Sequence, residues 1–213
     1  MKKVVQLGLG IILATAGFTA LSTVEVSAHG YISQPISRGY QGSLEKDKNW
    51  SAAFEKYGAV INEPQSLEAP KGYPTGGPAD GRIASANGAV GDFKLDQQSA
   101  SFWTKQTLTT GPNDFTWKFT ANHSTSKWHY YITKTGWNQN KPLSRDEFEF
   151  IGEVDNNGDS SATTPTHTIN IPSNRLGYHV ILAVWDVADT TNAFYNVIDA
   201  NIQSPTLLSR LTN

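Results

Sequence analysis

From about Thr104 onward, apolar and polar residues alternate in short runs that are separated by glycine, proline, asparagine and aspartate. This alternation is typical of antiparallel strands with one buried face. The residues expected to share buried faces are, strand by strand, Phe115, Trp117 and Phe119, then Trp128, Tyr130 and Ile132, then Phe148 with Phe150, and Ile169 with Ile171. Residues 179–187 are apolar on both faces, as in a central strand between packed layers. The pattern predicts a β-sandwich.

Residues 33–98 show no sustained alternation and are rich in proline and glycine. This composition predicts a long structured insertion between early strands, and insertions of that length often carry function. Within it, Trp50, Phe54, Tyr57 and Ile61 recur at helical spacing, which predicts a short amphipathic helix with its aromatic stripe buried on the sandwich. The expected fold is an all-β, immunoglobulin- or fibronectin-III-like β-sandwich with a loop-and-short-helix insertion.

Composition narrows the possible classes of function. The 213 residues include 17 Lys and Arg against 19 Asp and Glu, so the formal net charge of −2 offers no basic excess for a nucleic-acid partner. Cysteine is absent, which excludes disulfides, thiolate metal sites and cysteine nucleophiles. No feature requires an oligomer, and we expect a monomer.

The beginning of the chain has the pattern of a secretory signal peptide. Lys2 and Lys3 precede an apolar run, and Val26-Ser27-Ala28 fits the small-x-small rule for cleavage. A membrane anchor is the alternative, but the apolar run is short for a bilayer span and polar residues follow it at once. We expect residues 1–28 to be removed, residues 29–213 to form a single domain without a membrane span, and the secreted protein to begin at His29.

The histidines are the first candidates for a metal site, because cysteine is absent. After signal removal, His29 would offer an α-amine and an imidazole. A second histidine would complete a three-nitrogen site of the kind that favours Cu(II), and His123, in a polar turn after a predicted strand, is the natural choice. His129, His167 and His179 fall within strands, where hydrogen-bonded structural roles are expected. Terminal residues also fray, so spacing alone leaves a metal site and a frayed terminus both open.

A series of short motifs runs in order through nearly all of residues 29–213. The motifs are His29-Gly30-Tyr31 with Pro35 and Ser37-Arg38, Glu63-Pro64-Gln65-Ser66 with Glu68, Gly77-Pro78-Ala79-Asp80-Gly81 with Ile83-Ala84-Ser85-Ala86, Leu95-Asp96-Gln97-Gln98, Thr110-Gly111-Pro112-Asn113, His123-Ser124-Thr125, Val180-Ile181-Leu182-Ala183-Val184-Trp185-Asp186 with Ala188-Asp189-Thr190, and Asn192-Ala193-Phe194-Tyr195. In these motifs the chain resembles the secreted lytic polysaccharide monooxygenases of auxiliary activity family ten. It is most similar to their compact chitin-active members, which implies that residues 29–213 form one catalytic domain.

This resemblance implies a copper enzyme. In the family, the terminal amine and imidazole of the first residue and a second histidine hold one copper ion, which here implies His29 and His123. Phe194 matches the aromatic residue beside the axial position, Ala121 matches the small residue on the other axial side, and Glu68 matches an acidic group that orients the oxidant. The implied reaction cleaves crystalline chitin oxidatively at C1, with copper cycling between Cu(II) and Cu(I), an external electron donor, and hydrogen peroxide or dioxygen. Cellulose is the less expected substrate.

Members of this family bind crystalline polysaccharide on a flat polar face around the copper, since such a substrate cannot enter a concave pocket. The residues that match this face are Glu63, Gln65, Thr120, Asp189 and Asn192. Chitin-active relatives often carry an exposed tyrosine or tryptophan before the Glu-Pro-Gln-Ser motif, where this chain has Asn62, so one stacking aromatic residue is missing. Trp50 or Tyr57 could replace it if exposed.

Two other functions remain open from the sequence. A non-catalytic chitin- or N-acetylglucosamine-glycan-binding protein or adhesin could use the same face, and it would release no oxidised oligosaccharides. A glycoside hydrolase could use paired carboxylates such as Glu63 and Glu68, and it would release unoxidised sugars without a reductant. The motif Asp155-Asn156-Asn157-Gly158-Asp159 has part of a calcium-loop pattern but lacks the later glutamate, so it predicts only a turn.

Overall fold

Two β-sheets and two helices make up the part of the chain that the computed structural model describes, residues 28–206. The strands are β1 His29–Gln34, β2 Glu68–Pro70, β3 Gln106–Thr109, β4 Gly111–Ala121, β5 Thr125–Thr133, β6 Phe148–Asp155, β7 Thr166–Ile171, β8 Gly177–Val187 and β9 Asn192–Gln203. The helices are α1 Arg38–Lys46 and α2 Trp50–Tyr57, with 3₁₀ segments at Gly58–Ile61, Lys94–Asp96, Arg145–Glu147 and Ser161–Thr163. The predicted signal peptide, except its last residue, lies outside the described residues, as do residues 207–213. Within 28–206 no helix has the length and apolar character needed to cross a membrane.

The strands form a two-layer β-sandwich, which confirms the predicted fold. The smaller sheet has the antiparallel order β1-β4-β7. The larger sheet has the order β2-β9-β8-β5-β6, and β3 pairs in parallel with β9 on the side that β2 also occupies. Strand β8 lies centrally between β9 and β5, and nearly all its side chains are buried, as its two apolar faces predict.

Two hydrophobic cores lie on opposite faces of the larger sheet. Between the sheets, Trp117 of β4, Trp128 of β5 and Trp185 of β8 belong to one core. On the outer face, Tyr57 and Ile61 of the insertion share a second core with alternate residues of β8. The insertion between β1 and β3 is therefore fixed to the sandwich by apolar burial.

The predicted burial of the whole aromatic stripe on α2 is wrong for two of its residues. Tyr57 and the following Ile61 are fully buried, as expected, but Trp50 is 52% and Phe54 38% exposed. The rings of Trp50 and Phe54 stack on each other with centroids 4.9 Å apart. Ala53 and Tyr57 set the buried side of α2, so the two outer rings lie beside the core and cover each other instead.

Strand β6 forms where the sequence predicts a strand, but only one of its two phenylalanines is buried. Phe148 is buried, whereas Phe150 is 51% exposed. The reason is position, because β6 is the last strand of the larger sheet and, within residues 28–206, no further strand pairs with its outer side. Glu149, Glu153 and Asp155 on this strand are also exposed.

A buried ion pair joins the insertion to the sandwich. Arg38, at the start of α1, binds both carboxylate oxygens of Asp199 on β9, with an Nε–Oδ2 distance of 2.9 Å and an Nη2–Oδ1 distance of 2.7 Å. Tyr178 donates a further hydrogen bond to the Asp199 carboxylate at 2.7 Å. The guanidinium also donates to the carbonyl of Leu95 and lies 4.3 Å from the Trp103 ring centroid. Both charges are thus hydrogen-bonded, which is what a buried ion pair requires.

We expect Asp199→Ala to lower the free energy of unfolding by about 3–5 kcal/mol, because it leaves the Arg38 guanidinium buried without its carboxylate. The matched control is Glu153→Ala, which breaks the exposed Lys127–Glu153 pair and should cost about 0–1 kcal/mol. Urea denaturation of the two variants and the parent protein measures both losses. Equal losses of unfolding free energy in the two variants would contradict the conclusion that the Arg38–Asp199 ion pair stabilises the packing of the insertion on the sandwich.

Candidate metal centre

The two candidate ligand histidines lie at the same end of the smaller sheet. His29 is the first residue of β1 and pairs with Ala121, the last residue of β4. His123 follows in the turn between β4 and β5. Antiparallel pairing therefore brings together two segments that are far apart in the sequence, and it places Ala121 directly across from His29.

The residue after His29 is glycine for a steric reason. A Cβ atom at Gly30 would lie 2.8 Å from Cδ1 of Phe119 and 3.0 Å from Cζ3 of Trp185, closer than side chains normally pack. The Gly30 amide also donates a hydrogen bond of 3.2 Å to the carbonyl of Gln65. The backbone beside His29 is thus held between the aromatic core and the insertion.

One ring nitrogen of His123 is hydrogen-bonded to a neighbouring carboxylate, and the other is in a different situation. Its Nδ1 lies 3.1 Å from Oδ1 of Asp189, and the side chain is 5% exposed. This hydrogen bond holds the pKa of the Asp189 carboxyl below its usual value, so Asp189 is an anionic acceptor. In the neutral ring, donation from Nδ1 to the Asp189 carboxylate leaves the lone pair on Nε2, and among residues 28–206 this Nε2 is buried without a hydrogen-bond partner. A buried polar atom without a partner is costly, and a neutral imidazole nitrogen is a good copper ligand, so His123 fits a metal through Nε2.

An aromatic ring packs beside His29, and a second one is linked to His123 through hydrogen bonds. Phe194 of β9 is fully buried, and its ring centroid lies 6.5 Å from that of His29. Trp185 stacks on Phe194 at 4.9 Å, and its indole N–H donates to Oγ1 of Thr125 at 2.8 Å. The Thr125 hydroxyl in turn donates to the carbonyl of His123 at 3.1 Å. Burial of Trp185 was predicted and is confirmed, whereas its link to the His123 backbone has no signal in the sequence.

The pairing of β2 with β9 places an acidic residue, Glu68, on the strand next to Phe194. Glu68 pairs with Phe194, and Asn192 pairs with Pro70 two residues along the register. Glu68 is half-buried. The register therefore places the Glu68 backbone directly opposite Phe194, the ring next to His29.

The residues predicted for the substrate face lie on segments that border this site. Glu63, Thr120 and Asp189 are exposed, and Gln65 and Asn192 are half-buried. Asp189 differs from the other four because its carboxylate binds His123, a contact that the sequence did not reveal.

The sequence suggested that Trp50 or Tyr57 could replace the aromatic residue that is absent at position 62, and their exposure differs. Asn62 itself is exposed, and its side-chain carbonyl accepts a hydrogen bond of 3.5 Å from Nζ of Lys46. Tyr57 is fully buried and is therefore excluded. Trp50 is 52% exposed, although one face of its ring stacks on Phe54.

The remaining three histidines have the structural roles that the sequence predicts. His129 Nδ1 lies 2.9 Å from the Tyr131 hydroxyl, and its Nε2 lies 3.3 Å from a carboxylate oxygen of Asp186. His179 binds Thr133 through both the hydroxyl and the carbonyl oxygen of that residue. His167 bonds the Tyr130 hydroxyl and the Thr164 carbonyl, and burial lowers its pKa to about 4, so it is neutral at pH 7.

Comparison with known proteins points to one family. The family model described as lytic polysaccharide mono-oxygenase, cellulose-degrading, matches residues 29–200. The chain is 47% identical to GlcNAc-binding protein A of Shewanella oneidensis over 207 residues, which cover 96% of this chain and 42% of that protein. It is 45% identical to lytic chitin monooxygenase of Enterococcus faecalis over 199 residues, which cover 92% of this chain and 97% of that protein. The chain thus spans less than half the length of the first relative and almost all of the second.

Solved structures share the fold. A CBM33 protein of Bacillus amyloliquefaciens, determined in complex with Cu(I) after photoreduction, is 62% identical and superposes with a TM-score of 0.81 over 82% of this chain and 100% of that one. The catalytic domain of a lytic polysaccharide monooxygenase from Listeria monocytogenes is 46% identical, with a TM-score of 0.74 over 83% of this chain and 100% of that one.

Proposed function

The chain belongs to the lytic polysaccharide monooxygenase family, and from this membership we propose that its processed form, beginning at His29, is a secreted copper enzyme that cleaves crystalline chitin oxidatively at C1. The observation that carries the proposal is the buried, unpartnered Nε2 of His123, beside the end of the sheet where His29 begins β1. Chitin is proposed because the relative matched along almost its whole length is named a lytic chitin monooxygenase. The family description names cellulose, which makes cellulose the second substrate to test.

The donor set of the proposed centre suits one copper ion. His29 would contribute its α-amine and imidazole, and His123 its Nε2, and three nitrogen donors favour copper over hard cations. In the translated chain the His29 nitrogen is an amide bonded to Ala28, and its lone pair is delocalised into the carbonyl, so it is not the amine donor of the proposed set. Removal of residues 1–28 is therefore part of the proposal. When bound, copper supplies one-electron redox chemistry between Cu(II) and Cu(I), for which an external electron donor and hydrogen peroxide or dioxygen are the co-reactants.

The neighbouring side chains would orient the ligands and keep the site accessible. Asp189 holds His123 by its Nδ1 and so directs Nε2 toward the metal. Phe194 has no donor atom, so the side of the site that it covers carries no protein ligand. Ala121, small and opposite His29, leaves room on the other side, and Glu68 brings a carboxylate that can accept or hold a proton near the oxidant.

We propose that the substrate lies on the exposed surface around this centre. Glu63, Gln65, Thr120 and Asn192 offer hydrogen-bonding groups there, and Asp189 shares its exposed carboxylate between His123 and solvent. Hydroxyl and acetamido groups of a polysaccharide are the chemical partners of such a polar surface. Contact with a flat face suits a crystalline substrate, since its chains cannot enter a closed pocket.

Mass spectrometry of soluble products tests the proposal. Copper-loaded protein beginning at His29 is incubated with β-chitin, with and without ascorbate, and in parallel with cellulose. We expect aldonic-acid chito-oligosaccharides that appear only with copper and reductant. Unoxidised oligosaccharides without reductant would point instead to hydrolysis, and adsorption to chitin without any product would point to a binding protein or adhesin.

A further inference from the structure

The backbone of His123 is held by a second segment that the proposed function does not use. Residues 156–161 form a turn after β6, and this turn packs along the His123 turn as a short antiparallel bridge between Ser124 and Ser160. The Thr125 amide donates to the carbonyl of Asp159 at 2.9 Å, and the Gly158 amide donates to the carbonyl of Thr125 at 2.9 Å. The two turns are therefore hydrogen-bonded to each other along their length.

Ser161 makes the closest connection to His123. Its backbone N–H donates to the His123 carbonyl at 2.8 Å, and its hydroxyl oxygen accepts the His123 amide at 3.2 Å. The hydroxyl hydrogen points toward Oδ1 of Asn122 at 3.4 Å. Ser161 is completely buried and His123 nearly so, so water cannot replace these hydrogen bonds without opening the turn. One residue thus satisfies both backbone polar groups of the proposed ligand.

The shape of the second turn is fixed by its own residues. Asn157 and Gly158 adopt positive φ values of 51° and 91°, which reverse the chain in the way that asparagine and glycine favour. The buried side chain of Asn156 donates to the carbonyls of Asp159 and Ser160. The predicted turn at residues 155–159 is therefore confirmed as a turn, and its internal hydrogen bonds present Ser161 to His123 in one position.

We propose that Ser161 is a positioning residue for the copper ligand His123, and that residues 156–161 are part of the scaffold of the metal centre. This inference rests on the proposed function. Asp189 fixes the rotation of the imidazole ring through Nδ1, and Ser161 fixes the backbone from which the ring extends. Together they determine where Nε2 lies. Loss of the Ser161 hydroxyl leaves the buried His123 amide without its acceptor, so the backbone relaxes and Nε2 moves from its position relative to His29.

The test compares Cu(II) binding to three proteins that begin at His29: the parent, Ser161→Ala and Ser160→Ala. Ser160 is the matched control, because its hydroxyl is one residue away, is exposed, and accepts only the Ala162 amide. We expect Ser161→Ala to lower Cu(II) affinity about tenfold in calorimetry, as loss of an outer hydrogen-bond partner typically does, and to change the Cu(II) electron paramagnetic resonance parameters. Ser160→Ala should match the parent in both. The melting temperature of the copper-free proteins is recorded alongside.

The outcomes separate this inference from the function on which it rests. A lower melting temperature of Ser161→Ala with unchanged affinity and spectrum would make Ser161 a structural residue only and would overturn the inference alone. A parent protein without a three-nitrogen Cu(II) spectrum would overturn the proposed function and the inference with it. If Ser161→Ala does not fold, the same Cu(II) affinity and spectrum are measured for Ser124→Ala. This variant removes only the hydrogen bond of 2.6 Å from the Ser124 hydroxyl to the Gly158 carbonyl. An affinity and spectrum equal to those of the parent would then overturn the inference.

Discussion

Replacing His123 by alanine is expected to weaken Cu(II) binding by more than about 100-fold, because loss of a ligand costs more than the roughly 10–100-fold seen when an outer hydrogen-bond partner is lost. The substitution removes the buried Nε2 and leaves the amine and imidazole of His29 as the only nitrogen donors of the proposed set. Oxidised chito-oligosaccharides should disappear with the affinity. Calorimetric titration with Cu(II), followed by product analysis on β-chitin, measures both effects.

A histidine elsewhere in the fold provides the control. His179→Asn removes an imidazole that is buried at the beginning of β8 and is hydrogen-bonded to Thr133, whereas the candidate centre lies beyond the end of that strand. Copper affinity and product release should stay at the level of the parent protein. If His123→Ala binds copper as tightly as His179→Asn does, His123 is not a ligand.

A single extra residue before His29 is expected to abolish the activity as well. Retaining Ala28 converts the α-amine of His29 into an amide, so the proposed set of His29 amine, His29 imidazole and His123 Nε2 cannot form. The new Ala28 amine, the intervening amide and the His29 imidazole can chelate Cu(II) in a different arrangement, so the measurements are the Cu(II) electron paramagnetic resonance spectrum, which should change, and oxidised chito-oligosaccharides, which should disappear. The comparison uses two preparations of the same protein, one beginning at Ala28 and one at His29.

Removing the extra residue provides the matching control. Trimming the Ala28 preparation with an aminopeptidase should restore the parent Cu(II) spectrum and product release together, since nothing else in the chain changes. Full activity in the untrimmed preparation would show that the α-amine has no part in the reaction. Because the same molecules are measured before and after trimming, a folding defect cannot imitate the result.

The strands could be predicted from the sequence because their signal is local. Alternation of period two marks the inward residues of β4, β5 and β7 without knowledge of their partners. The errors concern residues whose burial depends on what lies next to them. Trp50, at the start of α2, and Phe150, on an edge strand, have the expected spacing, but no other segment of the described part of the chain buries them. Periodicity reports the direction of a side chain and cannot report whether another layer is present there.

The candidate site also contains residues that could be named from the sequence and contacts that could not. His29 and His123 could be named from the sequence because ordered motifs resemble those of a family, and the chemistry of an amine with two imidazoles supports the choice. The contacts that orient His123 could not be named. Asp189 and Ser161 reach it only because β8 and the turn after β6 pack beside the turn after β4, and no motif records that packing.

The exposed edge of β6 has a consequence for behaviour at high concentration. An unpaired strand edge can recruit the same edge of a second molecule and begin aggregation. Strand β6 carries charged side chains along this edge: Glu149 and Glu153, which pair with Arg175 and Lys127, and the exposed Asp155. Pairing with a second copy would have to accommodate these charges and their partners, which opposes it without a disulfide or a covering helix. Phe150, half exposed on the same strand, lies among them, so self-association through its ring is also disfavoured.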